Sequence, residues 1–317
     1  MLFQDHSGRG LFAIVIACVF WGTTGTAASF TPDVSPLATG AFAMGGGGFL
    51  LVMFAFSELL NDSSKLRTNW RLMLVGGVAV ALYPLAFYSS MRLSGVAVGT
   101  VVSIASAPFF TVLLERLIGK KLVSRLWMVS FAIGAMGIIL LTLGKEQSQV
   151  TGLQLSMHYL GVLLGLGAGL SYALYSWAAK GMIEQGIHSK SAMASMFGLA
   201  AVVLLPSLLL TGDHLFSSTT NACVAVYMAV VPMFLGYVLF GYGLKFVEAS
   251  QATLITLLEP AIATVMAVMI VGERISTMGW IGMGLILWCL WMQMPKASSM
   301  NRKKPLDSSE TSHAVEV

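Results

Sequence analysis

Apolar residues in this chain come in runs of about twenty, separated by short polar breaks. Wound as an α-helix, a run of that length crosses the hydrocarbon core of a bilayer. Ten such spans are predicted: Leu11–Phe30, Leu37–Phe56, Leu72–Met91, Val96–Leu117, Leu126–Leu143, Tyr159–Ala179, Ser191–Leu210, Ala222–Leu244, Ala252–Val271 and Met278–Met294. The first follows Arg9 in the manner of a secretion signal. It is longer than the apolar core of such a signal and nine more runs follow, so it reads as a retained helix. Among the breaks, Thr31–Pro36 is a proline-punctuated turn, and Leu60–Trp70 and Gly144–Met157 are the longer connections.

The pattern occurs twice. Val96–Pro108 aligns with Glu248–Pro260 at an offset of 152 residues, and each is followed by an apolar run and a Gly-charged-charged break, Gly119-Lys120-Lys121 and Gly272-Glu273-Arg274. Upstream, Phe20-Trp21-Gly22 falls opposite Ser171-Tyr172-Ala173 at an offset of 151. The chain therefore divides into a short N-terminus (1–10), a first five-span unit (11–143), a linker (144–157), a second unit (158–294) and a polar tail (295–317) expected to be disordered. Duplication within a membrane protein points to a site between the halves.

Composition agrees: 56% of residues are hydrophobic and 10% charged, against about 25% charged in soluble domains. The net charge of +4 does not imply nucleic acid. If the N-terminus is cytoplasmic, fifteen of the eighteen basic residues lie on that side, and only Arg92, Lys145 and Arg274 lie opposite. This bias places both termini in the cytoplasm and the protein in a plasma membrane, a bacterial inner membrane by expectation. Five spans per unit is an odd number, so the second unit enters upside down. The expected fold class is an all-α polytopic membrane protein with ten transmembrane helices as a 5+5 inverted repeat. Cys18, Cys223 and Cys289 all lie within spans, and no disulfide is expected.

Ala17–Gly22 in span one, Pro108 in span four, and Leu258-Glu259-Pro260 through Gly272-Glu273-Arg274 across span nine form an ordered set of short motifs. With them the chain resembles the EamA family of the drug/metabolite transporter superfamily over about residues 10–294. The resemblance implies a ten-helix inverted-repeat bundle that moves small organic metabolites, often outward. Two positions depart from the family pattern: Ala43 stands where an arginine is frequent, and Lys120 where a glutamate often follows Gly119.

Glu259 is the first candidate for chemistry. It lies in an apolar span immediately before Pro260, where an ionised carboxylate is costly. One reading makes it a coupling residue that exchanges a proton for substrate. The other makes it structural, its protonated form satisfying the carbonyl that Pro260 leaves without a donor. Pro108 and Pro260 are candidate hinges. Hydroxyl stripes run along both related helices, at Thr100, Ser103 and Ser106 and at Thr253, Thr256 and Thr264. They suit either cavity walls or bonds to their own helix carbonyls. The aromatics Trp21, Tyr83, Tyr172 and Tyr237, with Ser103 and Thr256, form the expected substrate-binding set. Gly45–Gly48 lacks the context of a phosphate loop and reads as a close helix contact or a hinge.

No nucleophile elbow, paired acidic motif or Walker sequence occurs, and the five histidines lie at span ends, in loops or in tails. No enzyme activity, cofactor or metal is expected. The expected partners are a small-molecule substrate, membrane lipid and protons as coupling ion, with no nucleic acid. The leading function is a secondary transporter, an exporter of small organic metabolites such as amino acids or related compounds. A multidrug or nucleotide-sugar carrier is the nearest alternative, although phosphates would ask for buried cations. A non-transporting membrane scaffold or a membrane-embedded enzyme is the alternative from another class.

Overall fold

The computed structural model describes residues 6–94, 96–143, 154–271 and 276–293, and among them only helices and turns occur. The helices are α1 (His6–Gly22), α2 (Thr24–Ala28), α3 (Pro36–Phe54), α4 (Phe56–Asn61), α5 (Ser63–Thr68), α6 (Trp70–Ser94), α7 (Val96–Leu117), α8 (Arg125–Leu143), α9 (Gln154–Glu184), α10 (Ser189–Thr211), α11 (Thr219–Met228), α12 (Gly236–Gly243), α13 (Ala249–Ile255), α14 (Leu258–Met266) and α15 (Thr277–Gln293). Two π-helical stretches, Ala229–Leu235 and Ala267–Val271, join α11 to α12 and extend α14.

Among the described residues, eight helical segments are long and apolar enough to cross a membrane. Two shorter apolar helices, α8 and α15, occupy the places of predicted spans five and ten. At nineteen residues α8 rises about 28 Å and at seventeen α15 rises about 26 Å, both a little less than the roughly 30 Å of a hydrocarbon core. The break Gly272-Glu273-Arg274 and most of the Gly144–Met157 connection lie outside the described residues. Phe49, Met53, Val202, Leu209, Met269 and Trp288 are exposed, a surface suited to lipid rather than water.

Glycines set how closely the helices approach. A Cβ at Gly48 would collide with the carbonyl of Phe197 on α10, and one at Gly47 would lie 2.6 Å from Met233 Cβ. The Gly45–Gly48 run is thus a backbone-to-backbone contact surface of α3, as its sequence context implied. The short α8 and α15 meet in the same way, with a Cβ at Gly137 placed 2.7 Å from the Gly282 oxygen.

Pro108 and Pro260, equivalent in sequence, differ in structure. Pro108 sits within the unbroken α7. Ahead of Pro260 the chain breaks at Thr256–Leu257, between α13 and α14. Pro260 has no N–H to donate to the Thr256 oxygen, its partner in a regular helix. The Glu259 N–H takes that oxygen instead, at 3.0 Å. The freed carbonyl is therefore satisfied by backbone, and the glutamate side chain is not needed for it.

At the end of the bundle that holds the N-terminus, the two sequence copies are tied together. Lys120 adopts a left-handed conformation (φ 51°) after α7. Beyond it, Lys121 Nζ pairs with Glu184 at 2.8 Å and Glu248 at 2.6 Å. Glu115, beside Arg116 at the end of α7, is buried. It accepts the Ser250 N–H at 3.0 Å, at the start of α13. Trp127 Nε1 donates to the Ser250 oxygen, and the buried Lys180 donates to the Leu244 oxygen at 3.0 Å. Nearby, Asp62 accepts the His188 N–H at 2.9 Å, and Lys190 pairs with Glu58 at 3.0 Å. Burial pushes the Asp62 carboxyl up, but the His188 N–H and the Lys65 ammonium outweigh it and hold the group below its usual range. The hydrogen bond from Lys190 brings Glu58 down to about 2.

Two predictions follow from this packing. Gly48→Ala is expected to cost about 1–3 kcal/mol by overpacking, read as a lower Tm in detergent. Gly167→Ala, at a position with open space around it, should leave Tm unchanged or raise it; equal Tm values for the two variants contradict the contact. The carboxyls of Asp62 and Glu58 are depressed on folding, so the stability they supply is present above the ordinary carboxylate value of about 4 and disappears as pH falls through their lower folded values. The Tm advantage of wild type over Asp62→Asn should therefore hold near neutral pH and shrink below about pH 4. An advantage that grows on acidification reverses the assignment.

Candidate functional site

A cavity of about 520 Å³ of empty space, its open side included, lies in the half of the bundle remote from the N-terminus. Its position follows from the elements that line it. Gly40, Ala43 and Met44 come from the start of α3, and Tyr83, Pro84, Phe87 and Tyr88 from the second half of α6. Trp21 and Thr24 come from the junction of α1 and α2, Tyr172 and Tyr175 from α9, Met233 and Tyr237 from the π stretch and α12, and Glu259 from α14. The lysine and carboxylate ties lie at the opposite end.

Several wall residues are held by specific contacts. Trp21 Nε1 donates to the Pro232 carbonyl at 2.8 Å, inside the π stretch. A π turn is a common irregularity at functional sites, and here it presents a carbonyl to the indole. Gly236 lets the ring pass, since a Cβ there would lie 2.7 Å from Nε1. Gly40 makes the same allowance for Tyr88, whose ring fills the space a side chain would need. Trp21 lies 5.0 Å from the Tyr237 ring, Tyr172 lies 5.1 Å from Tyr175, and Tyr83 lies 5.9 Å from Tyr172, centroid to centroid. The Tyr175 and Tyr237 hydroxyls bond to each other at 2.9 Å. The Tyr172 hydroxyl is buried beside Thr256 without a hydrogen bond of acceptable geometry.

Glu259 is the charged member of this lining. It is half-buried, and among the described residues its carboxylate has no ion pair or hydrogen bond. The hydroxyls of Tyr83, Tyr88, Tyr172 and Tyr237 lie within electrostatic range of it.

Of the residues selected from sequence, Trp21, Tyr83, Tyr172, Tyr237 and Glu259 come together around the cavity. Ser103 and Thr256 do not line it. Both are fully buried, and their hydroxyls donate to their own helices, Ser103 to the Gly99 oxygen at 2.7 Å and Thr256 to the Thr253 oxygen at 2.8 Å. Hydroxyls at helical spacing fit either role, and here the local carbonyl wins. Thr24, Phe87, Tyr88 and Tyr175 were not selected. Tyr88 and Tyr175 were visible as aromatics inside spans, but only the folded path of α6 and α9 places them at the cavity. Ala43, a departure from the family pattern, lines the cavity as well. Among the described residues no cluster of His, Cys, Asp and Glu has the makings of a metal site.

Known proteins place the chain. An uncharacterised transporter of Bacillus subtilis, YwfM, is 31% identical over 277 residues, 86% of this chain and 90% of that one. A probable amino-acid metabolite efflux pump of Salmonella typhimurium is 26% identical over 79% of this chain and 84% of its own length. An uncharacterised inner membrane transporter of the same organism, YicL, is 23% identical over 88% and 93%. A solved crystal structure superposes with a TM-score of 0.74 at 16% identity, over 89% of this chain and 95% of that one, a likeness of fold. The sequence pattern of the EamA-like transporter family matches residues 8–143 and again 159–292, and with that double match the chain belongs to the EamA-like transporter family.

Proposed function

We propose that the protein is a secondary transporter of the plasma membrane that exports small organic metabolites by alternating access. The observation that carries this reading is the aromatic cavity around Glu259, formed by elements of both sequence copies and confined to one half of the bundle. The Salmonella relative's name brings amino-acid metabolites into the substrate class, and that of YicL supports an inner membrane location.

In this reading ten helices cross the membrane as two inverted units, with α8 and α15 as spans five and ten. The packing supports it. α6 lies against α9 and α12 against α1; α3 pairs with α10, and α8 with α15; α7 packs on α9 and α14 on α1. Shifting each partner by five spans returns the same set, the relation expected of an inverted repeat. With the N-terminus cytoplasmic, the conformation described is outward-facing. Its cytoplasmic end is closed by Lys121, Glu115 and Lys180, and its cavity lies toward the outside. Substrate release to the cytoplasmic side, or loading from it, requires those ties to part.

Glu259 is the coupling residue. It exchanges a proton for substrate, and the break at Thr256–Leu257 with Pro260 supplies the bend that differs between states. The groups around it are Tyr83 and Tyr88 from α6, Tyr172 from α9, Tyr237 from α12 and Cys18 from α1. None of them is a Lys, Arg or His.

Three measurements test this reading. In proteoliposomes under an imposed pH gradient, Glu259→Gln should lose concentrative transport and keep substrate exchange. Wild-type transport indifferent to the gradient, with a fully active Gln variant, makes Glu259 structural. A single cysteine in the 144–157 loop, in a background lacking the three native cysteines, should react with impermeant reagent from outside only. Labelling from the cytoplasm alone removes the inverted topology. In the same background Lys121→Glu sets three carboxylates together. It should raise the labelling rate of a cysteine at Ser250 by roughly two- to tenfold, since exposed pairs are individually weak. An unchanged rate means the pairs do not hold that end closed.

A further inference from the structure

Charge balance in the cavity narrows the substrate, given the transport site proposed above. Glu259 brings a carboxylate, and the rest of the lining has no Lys, Arg or His to match it. A carboxylate withdrawn from water must take up a proton or meet a cation. Among the described residues no cation lines the cavity, so when the proton leaves the substrate must bring the positive charge.

The walls suit such a group. Tyr83, Tyr88, Tyr172, Tyr237 and Trp21 line the cavity with the carboxylate, and aromatic faces attract ammonium groups through their quadrupoles, more strongly where water is excluded.

The same lining is poor at holding a substrate carboxylate. The obvious anion site would be the start of α14, beside the cavity. Pro260 has no N–H, the Glu259 N–H is already bonded to the Thr256 oxygen, and the Glu259 carboxylate itself stands in the first turn. Two hydroxyl donors are also committed, Thr24 to the Trp21 oxygen at 2.7 Å and one of the Tyr175–Tyr237 pair to the other. A zwitterion would bring a second carboxylate beside Glu259, with tyrosine hydroxyls but no cation among the described lining residues to balance it.

We infer that the cavity selects organic monocations, amines and quaternary ammonium compounds with an apolar or aromatic body, over zwitterionic amino acids and anions. Among compounds related to amino acids, this favours the decarboxylated amine or the ester over the free acid.

The test uses the full chain, purified in lipid nanodiscs, and titration calorimetry with three probes: phenethylamine, benzyltrimethylammonium and phenylalanine. Both cations should bind at least about tenfold more tightly than phenylalanine, the factor that roughly 1.4 kcal/mol supplies. Glu259→Gln, checked for an unchanged elution profile and Tm, should lower the affinity of both cations by about tenfold or more and leave the weak phenylalanine binding where it was. Tyr88→Leu should weaken benzyltrimethylammonium severalfold with the carboxylate intact. Phenylalanine binding as tightly as phenethylamine overturns the inference, and so does an unaltered cation affinity in Glu259→Gln or the absence of cation binding. Proteoliposome flux of the same probes keeps the two claims apart. Glu259-dependent cation binding without flux removes the transporter reading and leaves the selectivity standing. Flux of phenylalanine with exclusion of both amines does the reverse.

Discussion

The organisation of this protein turns on one half-buried carboxylate that no fixed cation meets among the described residues. Glu259 stands at a break between two short helices, in a cavity whose other walls are apolar or aromatic apart from Thr24. Such a group cannot remain ionised and alone at membrane depth. It is tolerated if it alternates between two partners that come and go, a proton and a cationic substrate. The irregular backbone around it follows the same logic. Freed carbonyls at membrane depth must be satisfied locally. The Thr256 oxygen is taken by the Glu259 N–H, and the Pro232 oxygen by the Trp21 indole.

The two ends of the bundle contrast in chemistry. The cavity half is built from aromatic rings and glycines that admit them, with few polar ties. The end bearing the N-terminus is stitched by charge, with Lys121 between Glu184 and Glu248 and Glu115 on the start of α13. Exposed pairs of this kind contribute little each, about 0–1 kcal/mol. A closure made of a few exposed ion pairs, with the buried Glu115 and Lys180 bonded to single backbone groups, can part and reform without great cost. A closure made of interdigitated core could not do so as readily.

Much of this was legible in the chain. Runs of twenty apolar residues mark the long helices. The offset of about 152 residues paired Trp21 with Tyr172 and drew attention to Glu259 and Pro260. Other features were hidden for physical reasons. Ser103 and Thr256 have the spacing of wall residues, yet a hydroxyl in a helix has its own carbonyl within reach, and sequence cannot say which it prefers. Tyr88 depends on Gly40, a residue 48 positions away that leaves room for its ring. The π stretch at Ala229–Leu235 carries no sequence signal beyond Pro232. The equivalence of Pro108 and Pro260 was misleading in one respect, since α7 continues through its proline and α13 stops before its own.

The central claim is that Glu259 holds a proton in the absence of substrate and gives it up when a cation arrives. Proton release on binding tests this most directly. Benzyltrimethylammonium, which carries no exchangeable proton, is added to the purified protein in weakly buffered solution near neutral pH with a pH indicator. The account predicts release of a proton, up to one per bound cation, in wild type and none in Glu259→Gln. Cation binding to wild type without proton release, or equal release from the Gln variant, contradicts it.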